Sequence, residues 1–257
     1  MSNDSILKTF LVVFLLCIVC SVLVCLAALV RIDREAYNQL LETRSTVLAA
    51  GGYDEELAAG ASADELFANF EMKILNVDTG EIATDINAEE FNPKAAMDNP
   101  DMVVAIPPAY DIANLKQRPK FVRIFVDKSK GQVVLPIYGP GMWGVMYAYL
   151  GVANDGTTIN GLKFYQHSET PGLGAEIERP RFQNQWVGKK LYSNSGNLAI
   201  KVVKNGRFDP NAADAPYTID GLAGATVTGD KVQDMVQYWF SDNGYGKFLA
   251  NYSKSKE

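Results

Sequence analysis

The most apolar stretch of the chain runs from Phe10 to Val30 and reads FLVVFLLCIVCSVLVCLAALV, without a single charged residue. At about 1.5 Å per helical residue it is long enough to cross a hydrocarbon core of about 30 Å. A cleaved signal peptide is the alternative, but the apolar region of such a peptide spans only about 7–15 residues. Lys8 precedes the stretch, and Arg31 and Arg34 follow it, so the flanking charges leave its orientation open. The length predicts an uncleaved membrane anchor.

Downstream of the anchor, short apolar runs alternate with turn residues, a pattern that is typical of β-strands. The turns at 127–131 (DKSKG) and 154–156 (NDG) join neighbouring runs and therefore predict antiparallel hairpins. The predicted strands are Met72–Val77, Glu81–Thr84, Met102–Ile106, Phe121–Val126, Gln132–Tyr138, Val145–Val152, Thr158–Gln166 and Leu198–Val203.

Helical periodicity is found in four other parts of the chain. The polar stretch Asn87–Pro100 is predicted to be a loop. The predicted helices are Ile32–Ala50, a short helix after the capping sequence that begins at Ser62, Arg179–Trp186 and the C-terminal helix Gly229–Phe240. No low-complexity linker interrupts the chain. The predicted fold class is α+β: a membrane anchor at residues 1–31, then one soluble domain at 32–257 with antiparallel strands and flanking helices.

Composition narrows the possible partners. The chain has 24 Lys and Arg against 30 Asp and Glu, a net charge of −6, so it lacks the excess of basic charge that nucleic-acid binding requires. Cys17, Cys20 and Cys25 all lie inside the apolar stretch, which leaves the predicted domain without a disulfide or a thiolate metal site. We expect these cysteines to pack in the membrane and expect no bound metal, because structural metal sites require about four ligands.

The segment Asp220–Thr228, DGLAGATVT, leads directly into the predicted C-terminal helix. Helix N-termini present unpaired N–H groups and the positive end of the helix dipole, so glycines followed by hydroxyl residues at such a place can bind an anion. The alternative is a tight turn in which Thr228 is an ordinary N-cap. Composition alone favours the turn.

Two further clusters combine glycines with residues that can contact a ligand. His167–Gly174, HSETPGLG, follows a predicted strand, and its histidine, the only one in the chain, is more often a structural hydrogen-bonding group than an acid or base. Tyr138–Gly144, YGPGMWG, offers an aromatic pair to a flat ring, unless Trp143 packs in the core. No nucleophile signature accompanies either cluster, so we assign no catalytic residue.

Taken together, these motifs resemble the covalent-FMN domain of the C subunit of the sodium-translocating NADH:quinone oxidoreductases. The resemblance extends over essentially the whole chain and rests on YGPGMWGVMYAY, SETPGLGAEIE, QWVGKKLY and the family's flavin-attachment pattern, Asp-x-x-Ser/Thr-Gly-Ala-Thr/Ser-x-Thr. Ala223 stands where that pattern has Ser or Thr. The G subunit of the related Rnf electron-transport complex shares the attachment pattern and is the nearest alternative. A non-redox extracytoplasmic ligand-binding module and a purely structural subunit are the others.

The resemblance implies an electron-carrying subunit in which Thr228 bears FMN through a phosphoester. It also implies a single-pass protein of the bacterial inner membrane with its soluble domain in the periplasm. Its partners would be the other membrane subunits of the complex and, during maturation, a flavin transferase that uses FAD and Mg²⁺. The remaining residues expected to contact the cofactor are Thr226, Ala225, Gly224, Glu169, Thr170, Gly172, Leu173 and Trp143.

Overall fold

The computed structural model describes residues 6–254, and these residues divide into two compact units, one that ends at Arg44 and one that begins at Ser45. Helix α1, Ile6–Ala50, forms the first unit and contributes its last turns to the second. Within α1, Ile6–Ala28 has a mean hydropathy of 3.3 and none of it is buried, so it is long and apolar enough to span a membrane.

The second unit is built on a six-stranded antiparallel sheet. Its strands are β1 Phe70–Asn76, β2 Glu81–Ala83, β5 Phe121–Asp127, β6 Gln132–Pro140, β7 Val145–Val152 and β8 Ile159–Gln166, and they lie in the order β2-β1-β5-β6-β7-β8. Two small sheets accompany it: antiparallel β3 Val103–Ala105 with β4 Gln117–Pro119, and parallel β9 Lys201–Val203 with β10 Thr218–Asp220. The predicted α+β class with antiparallel strands and flanking helices is therefore confirmed.

Six helices besides α1 flank these sheets in the described part of the chain. They are α2 Asp54–Ala58, α3 Ala63–Phe67, α4 Pro93–Asp98, α5 Pro180–Gln183, α6 Thr226–Trp239 and α7 Gly246–Lys254. Short 3-10 helices lie at Pro100–Met102, Gly174–Glu178 and Ala215–Tyr217.

One predicted loop and two predicted helices were wrong in their extent. The supposed loop Asn87–Pro100 contains α4, whose first turn Asn92 caps by accepting hydrogen bonds from the N–H groups of Lys94 and Ala95. The predicted helix Arg179–Trp186 is only the four-residue α5, because Arg179 is extended at its N-cap and the chain turns after Gln183. The predicted C-terminal helix begins at Thr226 instead of Gly229, and α7 follows it, so it is not the last helix.

The two faces of the main sheet bury different partners, since successive residues of a strand point to opposite sides. On one face, Leu135 and Ile137 of β6 belong to the same core cluster as Val232, Met235 and Trp239 of α6. The indole Nε1 of Trp239 also donates to the carbonyl of Tyr138 at 2.7 Å. These contacts pack α6 against β6, and the chain leads from β6 directly into a segment of the candidate site.

The opposite face packs on the end of α1. Val47, Leu48 and Ala50 are fully buried and cluster with Phe125 and Val134 of the sheet. The approach is so close that a Cβ on Gly151 of β7 would lie 2.1 Å from the carbonyl oxygen of Ala50. The last turns of α1 are therefore part of the core of the second unit.

Candidate functional site

A buried hydroxyl–carboxylate pair lies at the centre of the site. Thr228, in the first turn of α6, is 1% exposed, and Glu169, in the loop after β8, is 5% exposed. The hydroxyl of Thr228 donates to Oε2 of Glu169 at 2.5 Å. This distance is typical of a charge-assisted O–H···O⁻ hydrogen bond, which is about twice as strong as a neutral one.

The other carboxylate oxygen is bound by Gly141–Gly144, the segment between β6 and β7 (the post-β6 segment). Oε1 of Glu169 accepts hydrogen bonds from the backbone N–H groups of Met142, at 2.8 Å, and of Trp143, at 3.1 Å. A Cβ on Gly141 would lie 2.5 Å from the same oxygen, so only glycine lets this backbone approach so closely. The carboxylate thus joins the post-β6 segment to α6.

His167 orients the backbone of Glu169. Its Nδ1 accepts the N–H of Glu169 at 3.2 Å, and its Nε2 lies 3.2 Å from Oε2 of Glu178. Both ring nitrogens of His167 therefore have hydrogen-bonding partners that follow it closely in the chain. This is the structural role that the sequence favoured over acid–base chemistry.

The loop Glu169–Gly174 closes over the buried pair. The carbonyl of Thr170 accepts from the N–H groups of Leu173 and Ala175, both at 3.1 Å, which folds the loop into a compact turn. A Cβ on Gly174 would lie 2.6 Å from Oε2 of Glu169 and 2.7 Å from the hydroxyl oxygen of Thr228. The backbone at Gly174 therefore covers the hydroxyl, and this loop has to move before a large group can reach it.

Exposed apolar side chains stand around the pair on each of the three segments. Trp143 is 66% exposed, Leu173 46% and Val227 48%. The alternative that Trp143 packs in the core is therefore wrong. Single exposed apolar residues are common, but several of them beside one buried polar pair suit a ligand with a large apolar surface.

The other residues expected at the site lie close to the same place. Thr226 is the first residue of α6 and is exposed, whereas Ala225 is the N-cap residue and is buried. Thr228 is consequently the third residue of the helix, so its interpretation as an N-cap is wrong. Gly224 has φ +71°, and a Cβ there would lie 3.3 Å from Cδ2 of Leu173. The segment 220–224 (the glycine segment) therefore lies against the loop. Thr170 and Gly172 are exposed on the loop.

A cavity of ≈ 220 Å³ adjoins this arrangement and was not anticipated. Gly172 of the loop and the segment 220–223 line it, together with the side chains of Arg179 and Arg181. Glu176 and Asp220 line it as well, and Glu176 pairs with Arg179, so the lining carries charges of both signs and is not selective for an anion through its two arginines alone. Their sequence spacing carried no signal, because only the fold brings the 3-10 helix and α5 against the glycine segment.

The predicted aromatic pair is separated in the fold. The ring of Tyr138 stacks on Tyr147 at 5.8 Å and packs on Trp239 at 5.1 Å, and these three line a different cavity, of ≈ 610 Å³. Tyr149 lines it too, and burial raises the pKa of its hydroxyl to about 12, so the hydroxyl is neutral at ordinary pH. Trp143 therefore lies beside the pair of Thr228 and Glu169, whereas Tyr138 lines this second cavity.

The arrangement around Thr228 fits FMN by its chemistry. It offers a hydroxyl for an ester, the N-terminal turn of a helix for a phosphate, and exposed apolar side chains for a flat ring. The polar groups at the site are hydrogen-bonded to one another: Glu169 accepts from the hydroxyl of Thr228 and from the N–H groups of Met142 and Trp143.

Comparison with known proteins agrees with this chemistry. Residues 141–241 match the family model of the FMN-binding domain, a range that includes the post-β6 segment, the loop and the first turn of α6. The chain is 40% identical to the C subunit of the Na(+)-translocating NADH-quinone reductase of Yersinia pestis, over 96% of its length and 93% of the relative's. It is 34% identical to the corresponding C subunit of Pseudomonas aeruginosa over 99% of both chains.

Solved structures give the same result. The crystal structure of Shewanella oneidensis NqrC matches with a TM-score of 0.72 and 31% identity, covering 83% of this chain and 97% of that one. The C subunit of the Na(+)-translocating NADH-quinone reductase from Parabacteroides distasonis matches with a TM-score of 0.60 and 26% identity, over 84% and 96% of the two chains.

Both sequence relatives are named as the C subunit, which confirms the family predicted from the motifs and favours it over the G subunit of the Rnf complex. They are parts of an oxidoreductase that contains further subunits. At this identity and coverage, the chain belongs to the C-subunit family of the Na(+)-translocating NADH-quinone reductases and carries an FMN-binding domain.

Proposed function

We propose that this chain carries FMN as a phosphoester on the hydroxyl of Thr228 and transfers electrons between other cofactors of the reductase. The observation that carries the proposal is the position of Thr228: its hydroxyl is the one onto which Glu169, the post-β6 segment and the loop Glu169–Gly174 converge. FMN supplies the redox chemistry, and the protein sets the cofactor's position and surroundings.

Different residues around Thr228 would then bind different parts of the cofactor. The N–H groups of the first turn of α6, including Thr226, would bind the phosphate together with Ala225 and Gly224 at the turn. Leu173 and Trp143, with Thr170 and Gly172, would contact the isoalloxazine ring, while Glu169 lies beside the ester oxygen. A covalent bond keeps the site loaded whatever the concentration of free flavin.

We further propose the topology that the motifs imply. Residues 1–31 would form a single-pass anchor in the inner membrane, and residues 32–257 would form a periplasmic domain that contacts the other subunits. Support for the anchor comes from the exposed apolar helix Ile6–Ala28. A flavin transferase, with FAD and Mg²⁺, would install the FMN on this domain.

The mass of the intact chain tests the attachment directly. The full-length chain is produced in cells with and without a flavin transferase and is purified under denaturing conditions. We expect the first sample to gain the mass of one esterified FMN, with peptide mapping to Thr228, and the second to have the mass of the sequence. A chain that keeps its unmodified mass with an active transferase present, or a flavin mapped to another residue, would contradict the proposal.

A substitution in the loop tests the proposed ring contact of Thr170. Thr170→Val removes the exposed hydroxyl at similar volume and leaves the backbone carbonyl that holds the turn. A lost hydrogen bond of about 0.5–1.5 kcal/mol that differs between oxidation states corresponds to a shift of about 10–30 mV for a two-electron couple. Spectroelectrochemical titration measures the shift, and flavin content should stay at the wild-type level. An unchanged potential would place Thr170 away from the ring.

A further inference from the structure

We propose that Glu169 is the base that accepts the proton of Thr228 when FMN is attached, so that the chain contributes a catalytic residue to its own maturation. This inference rests on the proposed attachment to Thr228. It assigns Glu169 a function before the cofactor is in place, in addition to any contact with the finished cofactor.

The hydrogen bonds define the direction of proton transfer. The hydroxyl of Thr228 donates to Oε2 of Glu169, and the two N–H groups of Met142 and Trp143 donate to Oε1. All three partners are donors, and an ionised carboxylate accepts hydrogen bonds without donating any. The proton of the hydroxyl therefore already points along a 2.5 Å line to the group that would receive it.

Burial and rigidity distinguish this carboxylate from the others nearby. Glu169 is almost entirely enclosed, whereas Glu176 and Glu178 of the adjoining 3-10 helix are more exposed and pair with Arg179 and His167. Gly141 lets backbone close on Oε1 of Glu169, and the two N–H groups bound to that oxygen lie outside the loop, so they still hold the carboxylate when the backbone at Gly174 moves aside. A base held in one position is what efficient proton transfer requires.

The reaction balances with FAD as the donor of the FMN group. The bond between Oγ of Thr228 and the phosphorus of the flavin-side phosphate forms, and the anhydride bond from that phosphorus to the AMP phosphate breaks. AMP leaves with the electron pair of the broken bond, and the hydroxyl proton passes to Oε2 of Glu169. Nothing is oxidised or reduced.

The proton on Glu169 also removes an electrostatic conflict. A phosphoester on Thr228 is an anion, and an ionised carboxylate 2.5 Å from the ester oxygen would repel it. Once protonated, Glu169 is neutral and can donate a hydrogen bond to the ester group. The same proton transfer thus activates the hydroxyl and makes the site compatible with the product.

The test measures the rate at which a purified flavin transferase, with FAD and Mg²⁺, adds FMN to the purified full-length chain, followed by intact mass. Glu169→Gln keeps the size of the side chain and an oxygen for the N–H groups of Met142 and Trp143, but it cannot take the proton. General bases contribute about 100- to 10,000-fold, so we expect the kcat of incorporation to fall at least about 100-fold, with little change in the KM for the chain.

Glu71→Gln is the matched control, because it makes the same chemical change on β1, which β5, β6 and β7 separate from β8, and it should leave the rate unchanged. Thr228→Ala separates the two proposals. If the wild-type chain is not modified, or the alanine variant is, the attachment proposal fails. If Thr228 is modified and Glu169→Gln reacts at the wild-type kcat, the attachment stands and the inference about Glu169 is overturned. A rise in KM alone would also overturn it, because that result assigns Glu169 to transferase binding.

A second variant keeps the inference testable if Glu169→Gln does not fold, which far-ultraviolet circular dichroism would reveal. Glu169→Asp retains a carboxylate but withdraws it by one methylene from Thr228. We expect modification with a wild-type KM and a reduced kcat. A wild-type kcat from the withdrawn carboxylate would contradict a direct proton transfer.

Discussion

Thr228→Ala is expected to yield a folded chain that carries no covalent FMN at all, even with FAD and an active flavin transferase present. The substitution removes the one hydroxyl held by Glu169 inside the site. Thr226, two residues earlier, is exposed at the start of α6 and has no such carboxylate partner at its hydroxyl among the described contacts. Fluorescence of the denatured protein band under ultraviolet light and the intact mass both measure the result.

The alanine variant should lose some stability but keep its fold. Oε2 of Glu169 loses its donor in a buried position, which costs about 1–3 kcal/mol of the free energy of unfolding. Thr228→Ser is the matched control: it keeps the hydroxyl and should be modified. Thr226→Ala should be modified as well. A fluorescent Thr228→Ala band would contradict attachment to Thr228, and a colourless Thr226→Ala band beside it would move the attachment to Thr226.

Two truncations that differ by six residues are expected to behave in opposite ways. A chain that begins at Ser45 should fold as a soluble domain, because the second compact unit begins there. A chain that begins at Gly51 should be strongly destabilised, because it lacks Val47, Leu48 and Ala50, which are fully buried against the sheet. Burial of a Val or Leu side chain contributes about 1.5–3 kcal/mol, so Val47 and Leu48 together contribute about 3–6 kcal/mol, a large part of the roughly 5–15 kcal/mol that stabilises an ordinary domain.

Urea unfolding followed by tryptophan fluorescence measures the difference between the two truncations. The Ser45 domain should unfold cooperatively and accept FMN from the transferase, since every residue of the candidate site lies in its unit. The Gly51 chain should be found in the insoluble fraction or unfold at a much lower urea concentration. Equal midpoints for the two chains would show that the end of α1 is dispensable for the domain.

Strand positions followed from the sequence because their signal is local. β7 occupies Val145–Val152 as predicted, and β1, β5, β6 and β8 begin or end within two residues of the predicted bounds. β-Branched and aromatic residues in runs bounded by turn residues specify such strands without reference to the rest of the chain. The helices were less accurate: α4 was missed because its polar residues form a helix through the Asn92 cap, without a long apolar stripe.

Two short strands escaped prediction for a related reason. β4 and β10 have only three residues each, and β10 pairs in parallel with β9 through a connection that no turn signal marks. The start of α6 was placed three residues late because Thr226–Thr228 resembles a cap in composition. Segments this short are defined by the partner that they meet, which local composition does not encode.

The sequence by itself determined the apolar helix, the antiparallel character of the main sheet, the family, and the three glycine-containing segments that meet at the site. These are properties of local patterns and of motifs. Only the tertiary structure decided that Thr228 bonds to Glu169, 59 residues away, that Trp143 is exposed, and that two arginines border the glycine segment. The physical reason is that the packing of α6 against β6 sets these distances, and the N–H groups that hold Glu169 belong to the backbone, whose placement no side-chain pattern reveals.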